Sequence, residues 1–126
     1  MSRRMLAAAI GGNAALALPW WVVLFAVPET RRFFLPASFP NEALLSFFAA
    51  DALLFFGAGV LAAIGVAQGA RWSRPVLWLH TGGACYAALY TLTQWALTKD
   101  AMLAALAMSP SLVLLPYACW RMEREP

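Results

Sequence analysis

Charge is scarce in this sequence. Asp, Glu, Lys and Arg together make up 12% of its 126 residues, about half the share found in an average soluble domain, too few to clothe a water-exposed surface. Histidine occurs once, at His80, and cysteine twice, at Cys85 and Cys119. A lone histidine, two cysteines far apart in apolar segments and acids that do not cluster offer no metal-ligand spacing and no redox motif. Neither a metal nor a cofactor is expected, and the cysteines read as small packing residues. There is also no glycine-rich phosphate loop, no serine with an evident base and no carboxylate pair, so the chain leans away from being an enzyme.

What is present is apolar residue in bulk, 63% of the chain, gathered in blocks of about 20, the length needed to cross a bilayer. The sequence predicts an all-α fold: an integral membrane four-helix bundle running up-down-up-down as one domain over residues 1–126, with helices at about 4–27, 42–68, 74–97 and 101–120 and an interfacial segment between the first two. The net charge of +3 comes from arginines in the ends and loops, where topology signals and anionic headgroups place them. Once they are assigned there, no basic face remains for nucleic acid.

Along the chain, Arg3 and Arg4 precede an apolar run from Met5 to Val27 that is too long for a cleaved signal and reads as a first membrane helix. Pro19 frees the carbonyl of Ala15, which predicts a bend. Residues 28–42 hold Pro28, Pro36 and Pro40 and mix Arg31 and Arg32 with Phe33, Phe34, Leu35 and Phe39. That composition suits an amphipathic turn anchored in the bilayer interface, favoured here over a lid on the bundle. Asn41 is the expected N-cap of the second helix, with Glu42 in its first turn and Gly69 at its end. Ser73 is the expected cap of the third helix and Asp100 of the fourth, and kinks are expected at Pro110 and Pro116, which free the carbonyls of Leu106 and Leu112.

Six arginines (Arg3, Arg4, Arg71, Arg74, Arg121, Arg124) fall on the side of the termini, against Arg31, Arg32 and Lys99 on the other. This asymmetry predicts a multi-pass protein of the cell (inner) membrane with both termini cytoplasmic. Trp20, Trp21 and Trp95 fall near one interface and Trp72, Trp78 and Trp120 near the other, so all six read as belt residues.

Within this frame one charge is out of place. Asp51 lies about 14 Å below the outer end of the second helix, where an ionisable side chain is unfavourable by roughly 2.5–3.5 kcal/mol on insertion scales and marks a functional site by default. At 100° per residue it shares a face with Ala58, Ala62, Gly65 and Gly69, a stripe suited to close helix packing. Asn13, Tyr86 and Ser109 reach a similar depth on the other helices. On the third helix His80, Thr91 and Gln94 share a face, with Tyr90 at its margin. The expected ligand-binding set is therefore Asp51, Asn13, Tyr86, Tyr90, Ser109, His80 and Gln94, with at least one of Asn13, Tyr86, Tyr90 or Ser109 within hydrogen-bonding distance of Asp51 or one water away. The leading function is binding of a small lipophilic molecule within the bilayer. The alternatives are a proton-linked small-molecule transporter and a structural subunit whose small-residue stripe receives a partner helix or a second copy. A polar layer that merely fixes helix register would use the same residues.

Overall fold

The computed structural model describes residues 1–124, and every regular element among them is helical. Three stretches are long and apolar enough to cross a membrane: Arg3–Ala26, Asn41–Gln68 and Met102–Arg124. A further helix of 26 residues has comparable length, but its Arg74, His80, Gln94, threonines and tyrosines make it less apolar.

The first stretch is two helices, α1 (Arg3–Ala15) and α2 (Ala17–Ala26), interrupted at Leu16. Pro19 has no N–H for the Ala15 carbonyl, so the interruption falls where the sequence placed a bend. Pro28 acts in the same way on the Leu24 carbonyl. That group accepts instead from Arg31 Nε at 2.8 Å, and the chain turns into a 3-10 helix, Pro28–Phe33. The segment then folds back onto the helices. The Phe34 ring lies against Trp20 with centroids 4.1 Å apart, and Leu35 is buried with Trp21, Leu24 and Leu44. Phe34, Leu35 and Pro36 are thus packed on the protein, while Phe33 and Phe39 of the same segment stay exposed.

The second stretch is not one regular helix. It comprises α3 (Asn41–Leu45), α4 (Phe48–Ala50), a π-helix over Asp51–Gly57 and α5 (Ala58–Gln68). Pro40, in extended conformation, occupies the N-cap and Asn41 is the first helical residue, which corrects the expected cap. Gly69 closes α5 with φ of +69°, a left-handed turn that glycine adopts without a Cβ clash.

Three of the four stripe residues are spent inside the chain, and Gly69 is exposed. Ala58, Ala62 and Gly65 are buried, as is Gly59. A Cβ on Gly59 would stand 2.5 Å from the Ala14 Cβ and 2.7 Å from His80 Cε1, and one on Gly11 would stand 3.3 Å from the Ala63 Cβ. α1 and α5 therefore meet nearly backbone to backbone, and dispersion contacts replace the hydrophobic driving force that lipid does not supply.

α6 (Ser73–Thr98) starts after Trp72, with Ser73 Oγ donating to the Ala70 carbonyl at 2.7 Å. It leaves through a turn in which Lys99 (φ 61°) and Ala101 (φ 59°) are both left-handed. Ala101 precedes α7 (Met102–Met108) in the cap position, and the Asp100 N–H donates back to Thr98 Oγ1 at 3.1 Å. Neither Ser73 nor Asp100 is the N-cap expected of it. α8 (Ser111–Arg124) follows a break at Ser109–Pro110 and continues as helix through Pro116, so the helix is interrupted at one of the two prolines. Arg121 Nη2 donates to the Met1 carbonyl at 3.0 Å, which brings the two ends of the chain together.

Beside the termini α1, α5, α6 and α8 enclose a filled core built from Leu6, Ile10, Ala62, Leu77, Leu115 and their neighbours. Beyond Leu16 and Pro110 that filling stops. α2 packs mainly on the Pro28–Phe33 turn and the π segment, and α7 mainly on α6; a cavity occupies the space between.

Candidate functional site

The cavity has a volume of about 460 Å3, within the roughly 300–1,000 Å3 range of small-molecule sites. Leu16, Ala17 and Trp20 of α2 with its preceding break form one wall, Ala104, Ala107 and Met108 of α7 another. Phe34 and Leu35 of the folded-back segment cover it, and Phe47, Phe55 and Ala87 complete the apolar surface. Leu16, Pro19, Val23 and Ala107 line the cavity and are also exposed on the outside, so its mouth opens through the apolar flank between α2 and α7.

Asp51 lines this cavity. It is the first residue of the π-helix, whose i→i+5 hydrogen bonding widens the turn; the N–H of Ala58 reaches back to the Leu53 carbonyl. The wider turn, placed between Asp51 and Ala58, takes the carboxylate off the stripe face inferred from regular α-helical spacing. The stripe faces α1 and α6, while Asp51 faces α2. There Asp51 Oδ2 accepts a hydrogen bond from Trp21 Nε1 at 3.1 Å. None of the four expected donors is its hydrogen-bond partner. Trp21 is 6% exposed, so it is not a belt residue of the kind the sequence suggested, and Trp20 packs on Phe34 in the cavity wall. Of the other four tryptophans, Trp78 donates from Nε1 to Glu123 Oε1 at 3.2 Å, and cations of Lys99 and Arg124 sit over Trp95 and Trp120.

Of the seven expected site residues, the cavity brings together four: Asp51, Asn13, Tyr90 and Gln94, with Thr91 beside them. Asn13 Oδ1 accepts from Ser111 Oγ at 3.3 Å, whereas its Nδ2 is buried without a hydrogen-bond partner among the described residues. The same holds for Gln94 Nε2, on a side chain that is 9% exposed. Tyr90 packs on Phe47 with ring centroids 5.3 Å apart.

The remaining three lie outside the cavity wall. Tyr86 points away, 66% exposed, because at about 100° per residue it lies roughly opposite Leu77, Ala84 and Ala88, which set the inner face of α6. Ser109 Oγ donates to the Leu106 carbonyl at 3.0 Å, the carbonyl that Pro110 frees, and is consumed in that local role. His80 is fully buried behind the cavity. Its Nδ1–H meets the Leu54 carbonyl of the π segment at 3.1 Å, its ring meets Phe55 edge-on at 5.5 Å, and its Nε2 has no partner among the described residues. His80 thus supports the wall through Phe55 and the π-helix.

No group of three or more histidine, cysteine or acidic side chains converges among the described residues. Thr81 and Cys119 share a buried hydrogen bond of 3.2 Å, in keeping with the packing role read for the cysteines. The chemistry on offer is recognition: one carboxylate, two amides with spare donors and two hydroxyl-bearing side chains, set in aromatic and aliphatic surface. Comparison with protein-family models, with curated proteins and with solved structures found no match, and the site is therefore interpreted from its own geometry.

Proposed function

We propose that this chain is an integral membrane protein that crosses the bilayer four times, with both termini cytoplasmic, and binds a small lipophilic molecule in the cavity beside Asp51. Three stretches have the length and apolarity to span, and α6, at about 1.5 Å per residue, reaches across the same thickness; Leu79, Leu89 and Leu97 on its outer surface are 55%, 56% and 80% exposed. The six-to-three arginine asymmetry supports the orientation.

The observation that carries the binding function is the coexistence, in the wall of one apolar cavity of about 460 Å3, of a carboxylate and two residues, Asn13 and Gln94, whose buried amide nitrogens have no partner among the described residues. Unpaired buried polar groups are unfavourable by about 1–3 kcal/mol each, and a ligand that reaches them recovers part of that. A mouth on the lipid-facing flank suits a ligand that partitions into the bilayer. The partner-subunit alternative drew on the stripe at Ala58, Ala62 and Gly65, which is already buried against the chain's own helices. Native mass spectrometry of the protein released from mild detergent tests the proposal. A bound small molecule is expected on the wild type and not on Asp51→Asn, with equal helical content by circular dichroism. Bare protein, with no saturable uptake of lipophilic probes, overturns it.

A further inference from the structure

The geometry points to a lipophilic cation, a protonated amine carrying a hydroxyl, ether or carbonyl oxygen, as the class of molecule this cavity takes. This rests on the proposed binding function and narrows it.

The charge of Asp51 has no counter-charge in the site. No lysine, arginine or histidine lines the cavity, and the hydrogen-bond partner of the carboxylate is the neutral indole N–H of Trp21. A carboxylate in surroundings of low dielectric is held as an anion only when a positive group stands close by. The surroundings offer that group a seat. Trp20, Trp21, Phe34, Phe47, Phe55 and Tyr90 all line the cavity, and aromatic faces attract ammonium groups by about 0.5–2 kcal/mol each, most strongly where water is excluded. A neutral ligand would use the apolar wall but neither the charge nor the ring faces. The amides supply a second requirement. Asn13 Nδ2 and Gln94 Nε2 are donors without acceptors, on helices that flank the cavity from different sides, so the ligand bears an oxygen acceptor in addition to its ammonium. An amine alone leaves both amides unpaired.

The test uses the full chain in nanodiscs of phosphatidylcholine, which carries no net charge and so does not itself concentrate cations. Three tritiated probes are compared by equilibrium dialysis against empty nanodiscs: an N,N-dimethyl-arylalkylamine with an ether oxygen in its chain, the same amine with CH2 in place of the oxygen, and the carbon isostere with CH in place of the nitrogen. The amine ether is expected to bind at least ten-fold more tightly than the carbon isostere. Asp51→Asn is expected to abolish that preference while leaving weak saturable binding of the isostere, and Gln94→Leu to abolish the advantage of the ether over the plain amine. Saturable binding of all three probes with equal affinity overturns the assignment of a cation and leaves lipophilic binding standing. An amine preference that persists in Asp51→Asn also overturns it. Absence of saturable binding for every probe, with the protein folded by circular dichroism and monodisperse on gel filtration, removes the binding function itself.

Discussion

Trp21 and Asp51, 30 residues apart in the chain, are joined by a hydrogen bond of 3.1 Å from the indole Nε1 to the carboxylate Oδ2. It ties α2 to the start of the π-helix across the inner edge of the cavity. The bond restrains a side chain that a ligand would otherwise have to order, and it keeps one carboxylate oxygen turned toward tryptophan while the other is left for the cavity.

Trp21→Phe keeps an aromatic ring in the wall and deletes the donor. A hydrogen bond contributes about 0.5–1.5 kcal/mol, so thermal unfolding in detergent is expected at lower temperature for this variant. In a cycle with Asp51→Asn the two losses are expected to fall short of additivity by about 0.5–3 kcal/mol, as for residues in direct contact. Strict additivity would mean that the pair does not interact.

Gly59→Ala places a methyl group 2.5 Å from Ala14 Cβ and 2.7 Å from His80 Cε1. Overpacking of this kind lowers stability by about 1–3 kcal/mol, and His80 is expected to give way, loosening its contact with the Leu54 carbonyl. Gly12→Ala is the control, because nothing lies within 4 Å of that Cβ; helix propensity predicts a gain of up to about 1 kcal/mol. Melting curves of the two variants in one detergent should move in opposite directions.

Pro110→Ala restores the N–H that can pair with the Leu106 carbonyl, now served by Ser109 Oγ. A continuous helix over Met102–Arg124 is expected, with α7 drawn toward α2 and the cavity reduced. Probe affinity should fall at least several-fold while stability is kept or raised, the trade expected when a strained site is relaxed. Pro116→Ala, at a position where α8 is already continuous, should leave affinity unchanged. Equal affinity in Pro110→Ala and wild type would show that the break does not shape the site.

Topology is testable independently of any ligand. A reporter that is active only in the cytoplasm is expected to give signal when fused after Arg124 and none when inserted between Pro36 and Pro40. The reverse pattern would invert the membrane orientation without altering the fold.

Much of the architecture follows from the order of residues because its causes are local. Apolar blocks set the three stretches long enough to span a membrane, Pro19 and Pro110 set the breaks at Leu16 and Ser109–Pro110, and Gly69 ends its helix because a left-handed residue is needed there. The caps at Asn41, Ser73 and Asp100 were misplaced for a related reason. Capping depends on the dihedral angles of individual turn residues, and Pro40, Trp72 and Ala101 take those positions instead.

Asp51 was legible as the odd charge, since its cost in a membrane is a property of one residue in its segment. Its partner was not. Regular α-helical spacing extrapolated from Asp51 to Ala58, but the π-helix between them widens the turn, and no local residue pattern announces it. Asn13, Tyr90 and Gln94 were found through depth and face on single helices. Trp21 was overlooked because a tryptophan near a helix end has an ordinary explanation at the interface, and only the return of Phe34 and Leu35 over α2 buries it. The sequence by itself determined where the chain is apolar, where it breaks and which charge does not belong. Tertiary structure alone decided which side chains face that charge, because this depends on how far helices rotate and part after the breaks, a sum over contacts that are distant along the chain.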